Sequence, residues 1–104
     1  MVASVEPPAI VIRGAGPLLR EVCAGAEEEG VPVTVEPGTG DATTSAHRAA
    51  LASALEVGIG IEGDEIVVHH ASLPRDHPAE VTGDGRRAGR TAARIVKVLP
   101  LRDL

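Results

Sequence analysis

At 104 residues the chain can bury one modest core, and with no Phe, Tyr or Trp it must build that core from Val, Ile, Leu and Ala, leaving no aromatic platform on which bases or sugars could stack. Fifteen acids against ten bases give a formal net charge of −5, the wrong sign for a nucleic-acid footprint, and no apolar run is long enough to cross a bilayer. The opening MVASVEPP has neither the basic region nor the apolar stretch of a signal peptide, and the single cysteine, Cys23, cannot form an intrachain disulfide, so the expectation is a soluble protein of the reducing cytoplasm that binds neither nucleic acid nor membrane.

Residues 1–8 read as a short tail closed by Pro7-Pro8, and residues 9–104 as one domain. Ala9 to Ile12 is a short run rich in β-branched residues, the pattern of a buried strand. Gly14-Ala15-Gly16-Pro17 breaks it and starts a helix on which Leu18, Leu19, Val22, Cys23 and Ala26 recur at helical spacing, with Gly30 as its C-cap. Val31 to Glu36 alternates as a second strand. A second helix runs from Asp41 or Thr43 to about Leu55. In the third strand, Val57-Gly58-Ile59-Gly60-Ile61, the two glycines invite close approach of a helix. Glu62-Gly63-Asp64 turns the chain into a fourth strand ending at His69-His70, which makes a hairpin. Ala79 to Thr82 reads as a short fifth strand, Asp84 caps a last helix reaching about Val98, and Pro100 stops it. Strands alternating with helices imply right-handed crossovers and a mainly parallel sheet, with the hairpin adding an antiparallel strand.

Most chemistry-bearing groups have a plain structural reading. Gly14-Ala15-Gly16 stands between strand and helix, where backbone N–H groups bind phosphate, yet it lacks the third glycine of a dinucleotide fingerprint and a Walker lysine. His69 and His70 are neighbours on a strand, so their rings face opposite sides and cannot chelate one metal; His47 and His77 complete no zinc spacing. Ser4, Ser45, Ser53 and Ser72 lie in no nucleophile elbow, and Cys23 reads as a small buried thiol. Arg86, Arg87, Arg90, Arg94 and Lys97 make the last helix basic, either as a solvated face complementing the helix dipole or as a docking face for an acidic partner.

The run Gly25-Ala26-Glu27-Glu28-Glu29-Gly30 places three acids where the dipole of the first helix disfavours them. At about 100° per residue the three side chains fan apart, and Glu28 points nearly opposite the apolar stripe, beside Glu21, Ala24 and Gly25. That face reads as a flat small-residue surface suited to an interface, or as a solvated helix end.

Several segments together resemble the small subunit of the glycerol and diol dehydratase reactivating factor: Pro8-Ala9-Ile10-Val11-Ile12; Leu19-Arg20-Glu21-Val22 with Gly25 to Pro32; Val57-Gly58-Ile59-Gly60-Ile61; Ile66-Val67-Val68-His69 with Leu73-Pro74; and, most specific, Gly89-Arg90-Thr91-Ala92-Ala93-Arg94-Ile95-Val96-Lys97-Val98-Leu99-Pro100-Leu101-Arg102-Asp103-Leu104. The resemblance implies a three-layer α/β/α sandwich with a mixed, mainly parallel sheet of four to five strands, one of them antiparallel. It implies a non-catalytic subunit that pairs with a large ATPase subunit, two large with two small. It further implies action by exchange with the medium subunit of the adenosylcobalamin-dependent dehydratase, so that damaged cobalamin leaves. It also implies a cytoplasmic site of action and admits association with a bacterial microcompartment. The resemblance places a magnesium ion at the contact with the large subunit on the middle acid of Glu27-Glu28-Glu29, within a Glu-Glu-x-Gly-[Val/Ile]-Pro pattern, which maps onto Glu28. Glu21, Ala24, Gly25 and Glu28 are accordingly the expected partner-binding residues, with no catalytic residue and no tightly bound cofactor in the isolated subunit.

Pro37 to Ala46 and Arg75 to Arg86 depart from the family pattern, and the aromatics that relatives carry near the first helix are missing. The alternative is a medium subunit of the dehydratase itself, or a fragment of one, contacting cobalamin. That subunit carries an N-terminal extension, whereas eight residues precede the first strand here, which favours the reactivating-factor reading. A third reading, a free-standing small-molecule binder of flavodoxin type, rests on the Gly14–Gly16 turn alone.

Overall fold

The computed structural model describes residues 7–38 and 40–98. Its elements follow the order β1 (Ile10–Arg13), α1 (Leu19–Glu28), β2 (Val33–Glu36), α2 (Ala42–Ala52), β3 (Val57–Glu62), β4 (Glu65–His70), β5 (Glu80–Thr82) and α3 (Gly85–Val98). The strands form one sheet in the order β2-β1-β3-β4-β5, with β1 parallel to β2 and β3, and β4 antiparallel to both β3 and β5. This is the mixed, mainly parallel sheet expected: β4 alone runs against the other strands, and β5, antiparallel to β4, runs in the direction of β1, β2 and β3. Of the expected tail only Pro7 and Pro8 are described, and Pro100 lies outside the described residues.

Chain direction decides the layers. The step from β1 to β2 runs one way along the sheet and the step from β2 to β3 runs back over β1. Right-handed crossovers in opposite directions therefore put α1 and α2 on opposite faces. The α1 face collects Ile10, Ile12, Val57, Ile59, Ile61, Ile66 and Val68, all buried, beneath Val22 and Ala26 of α1 and Ala88, Ala92 and Ala93 of α3. Strand residues of the opposite parity, Val11, Gly58, Gly60, Val67 and His69, are also buried, and Val67 packs with Ala42 and Ala46 of α2. The period of two along β3 thus sends its branched residues, Val57, Ile59 and Ile61, to the α1 face and its glycines, Gly58 and Gly60, to the α2 face.

The glycines of β3 set how near α2 can come. A Cβ on Gly58 would stand 2.2 Å from the Ala50 nitrogen, and one on Gly60 2.2 Å from the Ala42 carbonyl oxygen. Helix and strand meet main chain to main chain, and Ala42, Ala46, Ala49 and Ala50 are wholly buried there. Asp41 starts α2 by accepting the Thr44 N–H at its carboxylate. Ser53 ends it: its hydroxyl donates to the Ala9 carbonyl (2.6 Å) and accepts the Leu55 N–H (3.0 Å), tying the helix end to the entry of β1. At the hairpin, Glu62 pairs with Glu65 and Gly63 stands at φ 60°, the conformation that a two-residue II′ turn asks of its first central residue.

Gly58→Ala should destabilise the chain by about 1–3 kcal/mol, the usual cost of overpacking, because the obstructing atoms are backbone. A lower urea midpoint with unchanged slope is the expected reading. An unchanged midpoint would show that α2 can back away.

Candidate functional site

The acid-rich end of α1 owes its position to how that helix stops. Gly30 takes φ 79°, its N–H donates to the Glu27 carbonyl (2.9 Å), and the Val31 N–H reaches back to Ala26 (3.2 Å), a Schellman closure. The partner helix α3 starts where Asp84 accepts the Arg87 N–H at its side chain (3.0 Å) and Thr82 accepts the Asp84 N–H (3.1 Å). The two helices lie side by side in the same direction: a Cβ on Gly85 would meet Glu21 and the Leu18 carbonyl, and one on Gly89 the Val22 carbonyl at 2.1 Å and the Ala26 nitrogen at 2.7 Å.

This arrangement corrects the expected flat surface. Glu21 and Glu28 are exposed and Ala24 is half-buried, but Gly25 is buried, and a Cβ there would lie 2.2 Å from the Arg86 carbonyl oxygen. Counting angles from the sheet-facing stripe does place Gly25 away from the sheet. A helix with a second helix alongside buries two faces, however, and Gly25 belongs to the seam with α3. It lets that seam close and presents no surface of its own.

Along the rim of the seam runs a ladder of ion pairs. Arg86 donates from Nη1 to Glu28 Oε2 (2.7 Å) and from Nε to Glu21 Oε1 (3.2 Å), so one guanidinium bridges two carboxylates seven residues apart. Arg90 Nη1 stands 3.7 Å from Glu28 Oε1, Arg94 Nη2 is 3.7 Å from Glu29 Oε2, and Lys97 Nζ is 2.8 Å from Glu29 Oε1. Arg87 pairs instead with Glu80 of β5 (2.8 Å). Each of the five cations of α3 therefore has a carboxylate of this same chain, and the acidic partner that its basic face could have sought is supplied within the fold. The ladder also accounts for acids at an unfavourable helix end. Two helices running in the same direction bring two partly negative C-termini together, and Arg90, Arg94 and Lys97 sit among them.

Glu29 has its carboxyl held below the usual range, first by the hydrogen bond from Lys97 and then by the charges of Lys97, Arg94 and Arg90. Cys23, half-buried on the same helix, has its thiol pushed up, mainly by burial and secondly by the Glu27 charge, which keeps it protonated and a poor nucleophile.

The remaining candidates stay apart from this seam. Gly14 packs so closely against β3 that a Cβ would lie 2.7 Å from the Ile61 carbonyl oxygen, and its N–H donates to Glu36 (3.2 Å). That N–H of the glycine turn is thus spent on the fold. His69 is 0% exposed, its ring centroid is 4.9 Å from that of His47, and Nε2 donates to the Arg75 carbonyl (3.0 Å) while Nδ1 accepts the His70 N–H. His70 bonds Ser72 (2.8 Å) and stands 3.9 Å from Glu56. Among the described residues no three His, Cys, Asp or Glu side chains converge to hold a metal ion, and no helix is long and apolar enough to cross a membrane.

The family described as dehydratase medium subunit matches residues 8–102. The diol dehydratase-reactivating factor small subunit of Klebsiella michiganensis is 40% identical over 101 residues, covering 90% of this chain and 81% of that one. The propanediol dehydratase-reactivating factor small subunit of Salmonella typhimurium is 39% identical over 107 residues, covering 93% and 92%. A chain in a solved structure of diol dehydratase-reactivating factor complexed with ADP and Mg²⁺ superposes with a TM-score of 0.81 at 38% identity, over 94% of this chain and all of that one.

The ladder predicts a pH dependence. Because the folded carboxyl of Glu29 titrates below the ordinary value of 4.5, the stability it contributes is fully present above that value and is lost as pH falls through the lowered one. Glu29→Gln should therefore flatten the acid limb of a urea-midpoint profile while changing its slope near neutrality little. An acid limb identical to that of the parent would assign the loss to other carboxylates.

Proposed function

Because the chain belongs to the dehydratase medium subunit family and aligns almost end to end with reactivating-factor small subunits, we propose that it is the small subunit of a reactivating factor for an adenosylcobalamin-dependent diol or glycerol dehydratase. In this reading it is a non-catalytic binding module. It pairs with a large ATPase subunit, two with two, and gives way to the dehydratase medium subunit in an exchange that opens the dehydratase and lets damaged cobalamin go. The observation that carries the reading is the match in both sequence and fold over nearly the whole of both chains. The relatives' names favour it over the alternative of a dehydratase medium subunit.

Glu28 is the residue we propose to place on magnesium at the large-subunit contact. Its side chain is 44% exposed at the rim of the seam, within reach of a second protein. It offers hard oxygens, and Mg²⁺ is commonly held by one or two protein carboxylates while keeping several waters. One carboxylate cannot hold the ion alone, so the other ligands would come from water and from the large subunit. Glu21 and Ala24 lie on the same rim and would contact that subunit, whereas Gly25 would act from beneath by letting α3 close on α1.

Glu28→Gln should weaken Mg²⁺-dependent association with the large subunit by at least about tenfold, the scale of losing one charged partner at an interface. The isolated fold should be unaffected, since exposed ion pairs contribute little to stability. Co-purification with and without chelator checks this, and an unchanged sensitivity to chelator rules out the metal bridge. The wider reading is checked by mixing the chain and its large subunit with dehydratase that carries damaged cobalamin, ATP and fresh coenzyme. Activity should return only when both subunits are present.

A further inference from the structure

Glu28 is already occupied. Arg86 takes Oε2 at 2.7 Å and Arg90 stands 3.7 Å from Oε1, while the other end of the Arg86 fork holds Glu21 at 3.2 Å. A divalent cation cannot bind an oxygen that is engaged with a guanidinium without displacing it, because the two positive charges claim the same lone pairs and repel each other. We infer that Arg86 is an internal competitor for the divalent cation, masking Glu28 in the free subunit and passing to Glu21 when the ion arrives at the subunit contact. The inference rests on the proposed role of Glu28 and adds what sets the ion's apparent affinity there.

The geometry suits a transfer better than a simple release. Glu21 and Glu28 are two turns apart on one side of α1, and Arg86 rises between them from α3, already bonded to both. Leaving Glu28 therefore costs Arg86 one of two charged partners and exposes no lone cation. The side chains of Arg86, Glu21 and Glu28 are 42%, 48% and 44% exposed, so water can follow the exchange and no buried charge is stranded. Arg86 is thus a positioning residue for the contact: it fixes the Glu28 carboxylate against α3 until a stronger cation draws it away. Glu21 is the acceptor that makes withdrawal easy.

Two substitutions on the same bridge should act in opposite directions. Arg86→Gln unmasks Glu28 and should lower the Mg²⁺ concentration for half-maximal association with the large subunit by about two- to fivefold, the range expected for one exposed ion pair. Glu21→Gln removes the acceptor, leaves Arg86 committed to Glu28, and should raise that concentration. Titrating Mn²⁺ into a nucleotide-free equimolar mixture of the chain and its large subunit and following free Mn²⁺ by electron paramagnetic resonance should give the same order, Arg86→Gln tightest and Glu21→Gln weakest. If both variants move the midpoint the same way, the seam has merely loosened and the competition is overturned. If Glu28→Gln abolishes the Mg²⁺ dependence while the other two leave it unchanged, Glu28 keeps its role and Arg86 loses the one assigned to it. If Glu28→Gln itself has no effect, both readings fall. Should Arg86→Gln fail to fold, the direction of the Glu21→Gln shift decides alone.

Discussion

Everything in this fold depends on main chains being allowed to touch. With no aromatic ring to span a gap, a helix held a full side chain away from its neighbour would leave space that nothing in the composition can fill, and dispersion attraction falls steeply across even a small gap. The chain closes those gaps by bringing elements together at residues without side chains. Gly58 and Gly60 let α2 settle on the sheet, and Gly25 and Gly89 let α1 and α3 settle on each other. The bulk that is available, Ile and Val on the other parity of the same strands, is reserved for the wider space beneath the helix pair.

The charge ladder follows from that closeness. Arg86 can bridge Glu21 and Glu28, and Lys97 can reach Glu29, because the axes of α1 and α3 are drawn together by glycines at their crossing. The contact brings the C-termini of two helices to one end of the molecule, and the acids of α1 would worsen that field were they not interleaved with the cations of α3. One interaction thus answers two oddities of the sequence, a run of acids at the wrong end of a helix and a helix crowded with arginine. Each looked like a surface awaiting a partner. They are each other's partner, and their exposed carboxylates and guanidiniums form the rim of the seam.

Much of this was legible beforehand, because local rules and the tertiary structure agree. Period-two burial, the paired glycines of β3, the Asp84 cap and the turn at Gly63 each have one physical reading, and each is found; the start of α2, open between Asp41 and Thr43, is settled by the Asp41 cap. Boundaries shifted where a hydrogen bond had a better use. Val31 was expected in β2 but gives its N–H to the Schellman closure, and α2 stops at Ala52 because Ser53 turns to hold the Ala9 carbonyl. What the linear pattern could not reveal was which helix lies beside which. Angles on an isolated helix locate one buried stripe and cannot locate a second, so Gly25 looked outward. The signal that could have found the seam was nonetheless in the chain: Gly85 and Gly89 four apart, flanked by Arg86 and Arg90 at the same spacing, opposite a helix carrying Gly25 between Glu21 and Glu28.

The close approaches also limit how this sequence can drift. When a larger residue enters an ordinary core, a neighbour can shrink to make room, and such pairs of changes keep a fold viable while its sequence moves. At Gly58, Gly60, Gly25 and Gly89 the atoms nearest the missing side chain are all main-chain atoms (carbonyl oxygens and carbons, amide nitrogens and, at Gly89, the Cα of Gly25), which are the same whatever residue carries them. No second substitution can shorten a peptide group. These four positions therefore have no compensating partner anywhere in the chain, and an engineer who wishes to enlarge one must move a whole helix.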